Sequence, residues 1–154
     1  MIFLLEVIKA FRRAKLSYAV AGGYAVSLHG AVRGTLDIDL MVSLKPKHLA
    51  AAEAALQSIG LRSRIPVTAE EISQFRQEYL KRRNLIAWRF VDPRDPTRMV
   101  DLLLLEDVSK QSTITKKISG VPVQILSIPS LIKMKKAAAR HQDLEDVRAL
   151  ERLR

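Results

Sequence analysis

Apolar residues recur along the chain at two spacings, one near 3.6 residues and one of two, and the alternation divides it into helices and strands. Residues 2–14 place Ile2, Leu5, Ile8, Ala10 and Phe11 along one helical face, with Arg12, Arg13 and Lys15 at the end where a helix favours cations. Residues 17–21 form a short apolar strand that stops at Gly22 and Gly23, and a short helix over 24–29 ends at Gly30. Residues 36–42 alternate: Leu36, Ile38, Leu40 and Val42 fall on one face, Asp37 and Asp39 on the other. Pro46 opens an alanine-rich helix over 47–59 that Gly60 stops. Thr68 and Glu71 have the spacing of a capping box and begin a helix running to about Arg82. Residues 85–91 and 99–105 read as strands, joined as a hairpin by the turn-rich stretch 92–97. Val121–Leu126 reads as an edge strand, because Pro122 cannot donate to a central ladder. Helices over 130–140 and 143–153, broken near His141, close the pattern.

Helices interleaved with a few strands predict an α/β or α+β domain, a small mixed sheet with helices packed behind it. No repeat or linker divides residues 1–154, so a single domain is expected, with a core over 1–126 and C-terminal helices over 129–154.

Three carboxylates break the apolar pattern. Aspartate is a poor strand former, yet Asp37 and Asp39 sit two apart in an apolar strand, which sends both carboxylates to one face about 7 Å apart. Like charges at that distance need a cation between them or contact with water. Asp101 interrupts residues 99–105, the most apolar stretch of the chain, and could supply a third carboxylate from a neighbouring strand. Such a trio suits a hard divalent ion with oxygen ligands. The plainer alternative keeps Asp37 and Asp39 in solvent on an edge strand and pairs Asp101 with an arginine.

Composition narrows the chemistry. The chain has no cysteine, which excludes disulfides and thiolate-held metals, and His29, His48 and His141 are scattered singly. The opening apolar run ends at Glu6 without a preceding basic segment, no stretch reaches the length of a membrane span, and a cytoplasmic protein is expected. A net charge of +10 favours anionic partners.

Gly22 and Gly23 end a strand and open a helix, so their backbone N–H groups can approach phosphate with no Cβ in the way. Ala21-Gly22-Gly23 followed by Asp37-Ile38-Asp39-Leu40 resembles the signature of the DNA polymerase β-like nucleotidyltransferase superfamily. Arg33-Gly34-Thr35 and residues 130–150 are similar to the AbiEii-type and related minimal members. Two departures stand out: Gly23 replaces a frequent serine, and the chain is shorter than members with a full helical acceptor domain.

The resemblance implies a nucleotidyltransferase-like fold and transfer of a nucleoside monophosphate from an NTP to an acceptor hydroxyl. It implies Mg²⁺ or Mn²⁺ held by Asp37, Asp39 and Asp101, with Asp101 also helping to activate the nucleophile. Gly22, Gly23, Arg33, Thr35 and Lys135 would handle phosphates. Lys135 borders an apolar stripe of Leu131, Met134, Ala138 and Leu144, so it either snorkels past the core or reaches the site. Asp143 and Asp146 read as capping and surface-pairing residues. RNA with a tRNA-like 3′ end is the expected acceptor, its backbone tracked by Lys133, Lys136, Arg140 and the run Lys81, Arg82 and Arg83. Three alternatives remain at this point. One is a toxin–antitoxin or regulatory module acting through an antitoxin or helical partner. The second is an aminoglycoside-type small-molecule transferase, and the third is an inactive nucleic-acid-binding domain.

Overall fold

A computed structural model describes residues 1–82 and 85–154; Arg83, part of the basic run named above, lies outside the described residues. Helix α1 (Ile2–Arg13) leads into strand β1 (Tyr18–Ala21), helix α2 (Gly22–Leu28) and strand β2 (Ile38–Val42). Helix α3 (Pro46–Ser58), strand β3 (Arg62–Ser63) and helices α4 (Ala69–Gln74) and α5 (Arg76–Arg82) follow. A hairpin of β4 (Ala87–Asp92) and β5 (Asp95–Leu103) comes next, then a 3₁₀ turn (Val108–Lys110) and strands β6 (Thr113–Ile118) and β7 (Val121–Leu126). Helices α6 (Ile128–Ala138) and α7 (His141–Arg152) complete the fold.

The strands form one mixed seven-stranded sheet in the order β3-β4-β5-β2-β1-β7-β6, so the expected α/β architecture holds. β2 is the central strand, antiparallel to β1 and parallel to β5. It starts two residues later than the alternation suggests, and Leu36, expected on the buried face, is 62% exposed. β7 is not an edge. It pairs with β1 on one side and β6 on the other, and Pro122 is accommodated because the parallel register Val20↔Ile125 carries it past the start of β1. The edge falls to β6, which reads too polar to be recognised as a strand, and its Lys116 and Lys117 suit that position.

Local signals set most helix ends. Thr68 and Glu71 make both bonds of the capping box, but the helix they start breaks at Phe75. Ser127 caps α6, whose break from α7 comes at Ala139, in the left-handed region at φ 53°. On α6 the buried residues are Leu131, Ile132 and Lys135; Ala138 and, on α7, Leu144 are exposed, so the expected stripe is rotated toward the lysine. No helix among the described residues is long and apolar enough to cross a membrane.

Candidate functional site

The register of the sheet builds the site. Trp88, Leu102, Leu40, Val20 and Ile125 are successive partners across β4, β5, β2, β1 and β7, and all five are fully buried. In the adjacent row, on the opposite face, the partners read Arg89, Asp101, Asp39, Ala21. Asp37 stands just ahead of β2, two residues from Asp39. The three predicted carboxylates therefore meet at the start of β2, beside the C-terminal part of β5, and Asp39 and Asp101 are direct neighbours across a parallel pair.

Arg89 is the residue the sequence reading does not anticipate. Its Nε donates to Asp101 Oδ1 at 2.8 Å, and its Nη2 donates to Asp101 Oδ2 and Asp37 Oδ2, both at 2.8 Å. The guanidinium thus does for Asp37 and Asp101 what a bound cation would do. Its hydrogen bonds with Asp101 foremost, opposed by burial and then aided by the charges of Asp101, Asp37 and Asp39, hold it protonated beyond its ordinary range. The pairing of Asp101 with an arginine is thus the plainer alternative realised, although on central strands rather than at an edge.

Asp39 is left out of this arrangement, and among the described residues its carboxylate accepts no hydrogen bond. Burial, then the charges of Asp101 and Asp37, push its carboxyl up to about 7, against the weaker pull of Lys135 and Arg89. Among the described residues no group of three or more carboxylates or histidines is drawn together as a ready-made metal cage. Arg89 occupies two of the three predicted carboxylates. The donor set nonetheless fits a hard divalent ion: three carboxylates gather at the start of β2, and one of them is short of counter-charge.

The two glycines make room for this cluster. A Cβ on Gly22, whose φ is +61°, would lie 1.9 Å from Asp39 Oδ2, and one on Gly23 would lie 2.8 Å from Thr35 Cβ. The carboxylate of Asp39 therefore lies against bare backbone at the start of α2, and the predicted close approach at these positions is used first by the protein's own side chains. Thr35 Oγ1 is 3.4 Å from the Asp37 carbonyl oxygen, in the loop that presents Asp37.

Lys135 neither snorkels nor stands free. It is 5% exposed, its Nζ lies 2.9 Å from Asp146 Oδ2 and 3.5 Å from Asp143 Oδ1, and its charge reaches Asp39. Arg33 Nε donates to Asp146 Oδ1 at 3.1 Å, so both predicted phosphate-binding cations converge on one carboxylate of α7. Asp143 caps α7 through the Arg140 backbone N–H, as expected, and also binds the Arg140 side chain. Neither aspartate is a surface residue, since Asp143 is 2% and Asp146 3% exposed. Burial works against the Asp143 carboxylate, but the Arg140 side-chain and backbone hydrogen bonds and the charges of Arg140 and Lys135 hold it below its usual range. Lys133, Lys136 and Arg140 are exposed, as expected.

A signal for Arg89 existed in the alternation of β4. Trp88, Phe90 and Asp92 are buried on one face, which sends Arg89 to the other. Only the pairing of β4 with β5 shows which aspartate it meets. The Asp143–Asp146 pair had a weaker signal, two acids at i and i+3 on a helix, a spacing that exposed helices also use.

No family model and no curated protein matches the sequence. Solved structures match it in fold. The antibiotic-resistance factor ANT(2'')-Ia, determined in solution, superposes with a TM-score of 0.65 at 15% identity, over 96% of this chain and 80% of that one. The lincosamide antibiotic adenylyltransferase LnuA, with lincomycin bound, gives 0.67 at 11% identity, over 99% and 96%. An antigenic nucleotidyltransferase-like protein from Paracoccidioides brasiliensis gives 0.59 at 15%, over 96% and 74%. At these identities the likeness is one of architecture, and the architecture is nucleotidyltransferase-like.

Proposed function

We propose that the protein is a metal-dependent nucleotidyltransferase that moves a nucleoside monophosphate from an NTP to an acceptor hydroxyl. The observation that carries this reading is the in-register pair Asp39 and Asp101 with Asp37 beside them, on a fold of the nucleotidyltransferase type. The affinity to AbiEii-type members rests on Arg33, Gly34, Thr35 and residues 130–150.

In this reading Asp37, Asp39 and Asp101 hold Mg²⁺ or Mn²⁺, and Gly22, Gly23, Arg33, Thr35 and Lys135 face the phosphates. A bound divalent ion would supply charge neutralisation and polarisation of the phosphate. The chain's own groups do the rest. Arg89 has to release Asp37 and Asp101 before either can act as a ligand, and its charge then stands free beside the phosphates. As the acceptor oxygen attacks the α-phosphorus, its proton passes to Asp101, the bond to the bridging oxygen breaks and pyrophosphate leaves. Lys135 and Arg33, already positioned by Asp146, offset the charge that builds on the phosphate oxygens.

RNA, with a tRNA-like 3′ end, is the acceptor we propose. The net charge of +10 and the exposed Lys133, Lys136 and Arg140 support a phosphate backbone running past the site. A small hydroxyl compound is the second reading. It is favoured by the fold likeness to LnuA with lincomycin and to ANT(2'')-Ia, which is known in complex with adenylyl-2''-tobramycin.

The test is incubation with Mg²⁺ or Mn²⁺, each labelled NTP in turn, and parallel panels of RNAs and small alcohols that include aminoglycosides. Label on RNA that disappears in Asp37→Ala and Asp39→Ala is the expected result. Label on a small alcohol alone replaces the acceptor, and activity that survives either variant removes the assignment. A Mn²⁺ titration followed by electron paramagnetic resonance tests the ligands without reference to activity.

A further inference from the structure

The opposite end of the sheet carries a second concentration of charge. Because β1 and β2 are antiparallel, the end where β1 begins at Tyr18 and β2 finishes at Val42 lies away from Asp39. A cavity of about 710 Å³ opens there. Arg12 at the end of α1, Lys15 in the following turn and Lys45 at the start of α3 line it. Among the described residues, none of these three side chains has an ion-pair or hydrogen-bond partner. Asp107 is the carboxylate in the lining, and its oxygens are already engaged. Oδ2 accepts from the Leu44 N–H at 2.9 Å, and Oδ1 accepts from the Ser109 N–H at 2.9 Å and the Ser109 hydroxyl at 2.7 Å. Three cations therefore line one cavity against the single carboxylate of Asp107.

Lys15 is placed there against its backbone preference. The Lys15 N–H bonds the Arg12 carbonyl and the Leu16 N–H bonds the Phe11 carbonyl, each at 3.0 Å, which closes α1 in the pattern whose left-handed residue is ordinarily glycine. Lys15 occupies that position with φ 56°. Glycine would close the helix with less strain, whereas lysine brings an ammonium group to the cavity.

We propose that this cavity binds a free oligophosphate group of the pyrophosphate or triphosphate class, held by Arg12, Lys15 and Lys45. The hydroxyls of Ser17 and Thr113, also in the lining, are further donors. The exposed ring in the wall is the His48 imidazole, whose Nδ1 lies 2.6 Å from Ser43 Oγ. Tyr18 is 6% exposed, and its hydroxyl accepts the Gln124 N–H at 3.1 Å. Arg12, Lys15 and Lys45 make phosphate the group this wall is built to recognise. The site is separate from the carboxylate cluster, since Asp39 to Ser43 along β2 spans roughly 13 Å at 3.3 Å per residue.

The test is calorimetric titration of inorganic pyrophosphate and tripolyphosphate into the full chain in EDTA. Saturable binding is expected, about tenfold weaker in Lys15→Gly and in Lys45→Gln. It should be indifferent to Lys117→Gln, on the exposed edge strand β6 and outside the lining. Lys15→Gly should melt no lower than the parent, which separates lost affinity from lost folding. Three results would overturn the proposal: no saturable binding, affinity unchanged in both lysine variants, or a single-stranded oligonucleotide that binds more tightly and resists displacement by pyrophosphate.

Discussion

Replacing Asp39 by asparagine isolates the charge that the site leaves unbalanced. The side chain keeps its shape beside Gly22 and loses only the ability to ionise. In the metal-free folded protein the carboxyl is pushed up to about 7, chiefly by burial, from an ordinary value of 3.8. The folded state therefore holds a proton that the unfolded chain has released, and the wild type loses stability as pH rises from about 4 to about 7. A shift of roughly three units at 1.36 kcal/mol each amounts to ~4 kcal/mol in full. The asparagine variant lacks this dependence. The stability gap between the two should thus open by about 1.4 kcal/mol per pH unit from pH 4 and level off above pH 7. Glu6, Asp92, Asp107 and Asp143, whose carboxyls are held below their usual range, titrate alike in both proteins and cancel in the comparison. Urea unfolding of both proteins in EDTA, at half-unit steps from pH 4.5 to 8.5, measures the gap directly. A difference that stays flat with pH, or a variant less stable than wild type at pH 8, refutes the account of Asp39 as a carboxylate lacking counter-charge.

Three further substitutions probe the cluster. Arg89→Ala should cost about 1–2 kcal/mol of metal-free stability, a figure reduced for its 40% exposed side chain, yet raise Mn²⁺ affinity because a competing cation is gone; unchanged affinity in the resonance titration contradicts the bridging role. Gly22→Ala forces a contact of 1.9 Å with Asp39 Oδ2 in a left-handed backbone, and should lower the melting temperature in a way that Asp39→Gly partly relieves. A double-mutant cycle with no coupling would show that the contact is absent in solution. Lys135→Ala leaves Asp143 and Asp146 buried with less counter-charge and should cost about 3 kcal/mol, whereas Lys133→Ala should stay within about 0.5. Titrated with a non-hydrolysable NTP below its melting temperature, Lys135→Ala should also bind more weakly than Lys133→Ala, and equal affinities would place Lys135 outside the phosphate site.

The sequence by itself determined the local elements and the chemical oddities. Periodicity marked α1, α3, the hairpin strands and the C-terminal helices, because a single buried face repeats every 3.6 or two residues and leaves its trace in any window. It also singled out Asp37, Asp39 and Asp101, because carboxylates in apolar strands need a reason wherever the strands end up. Tertiary structure decided what those residues meet. β6 and the two-residue β3 carry too little periodic signal to be read, and Pro122 looked like an edge residue until the stagger between β1 and β7 showed otherwise. The parallel register that sets Asp39 beside Asp101, and the antiparallel one that sets Arg89 across from it, join residues 62 and 12 positions apart in the chain. A one-residue slip in either pairing would send these side chains to opposite faces, and no local pattern encodes the choice. The same holds for Asp146, whose helical spacing reads as a surface pair and whose burial against Arg33 and Lys135 depends on where α7 docks.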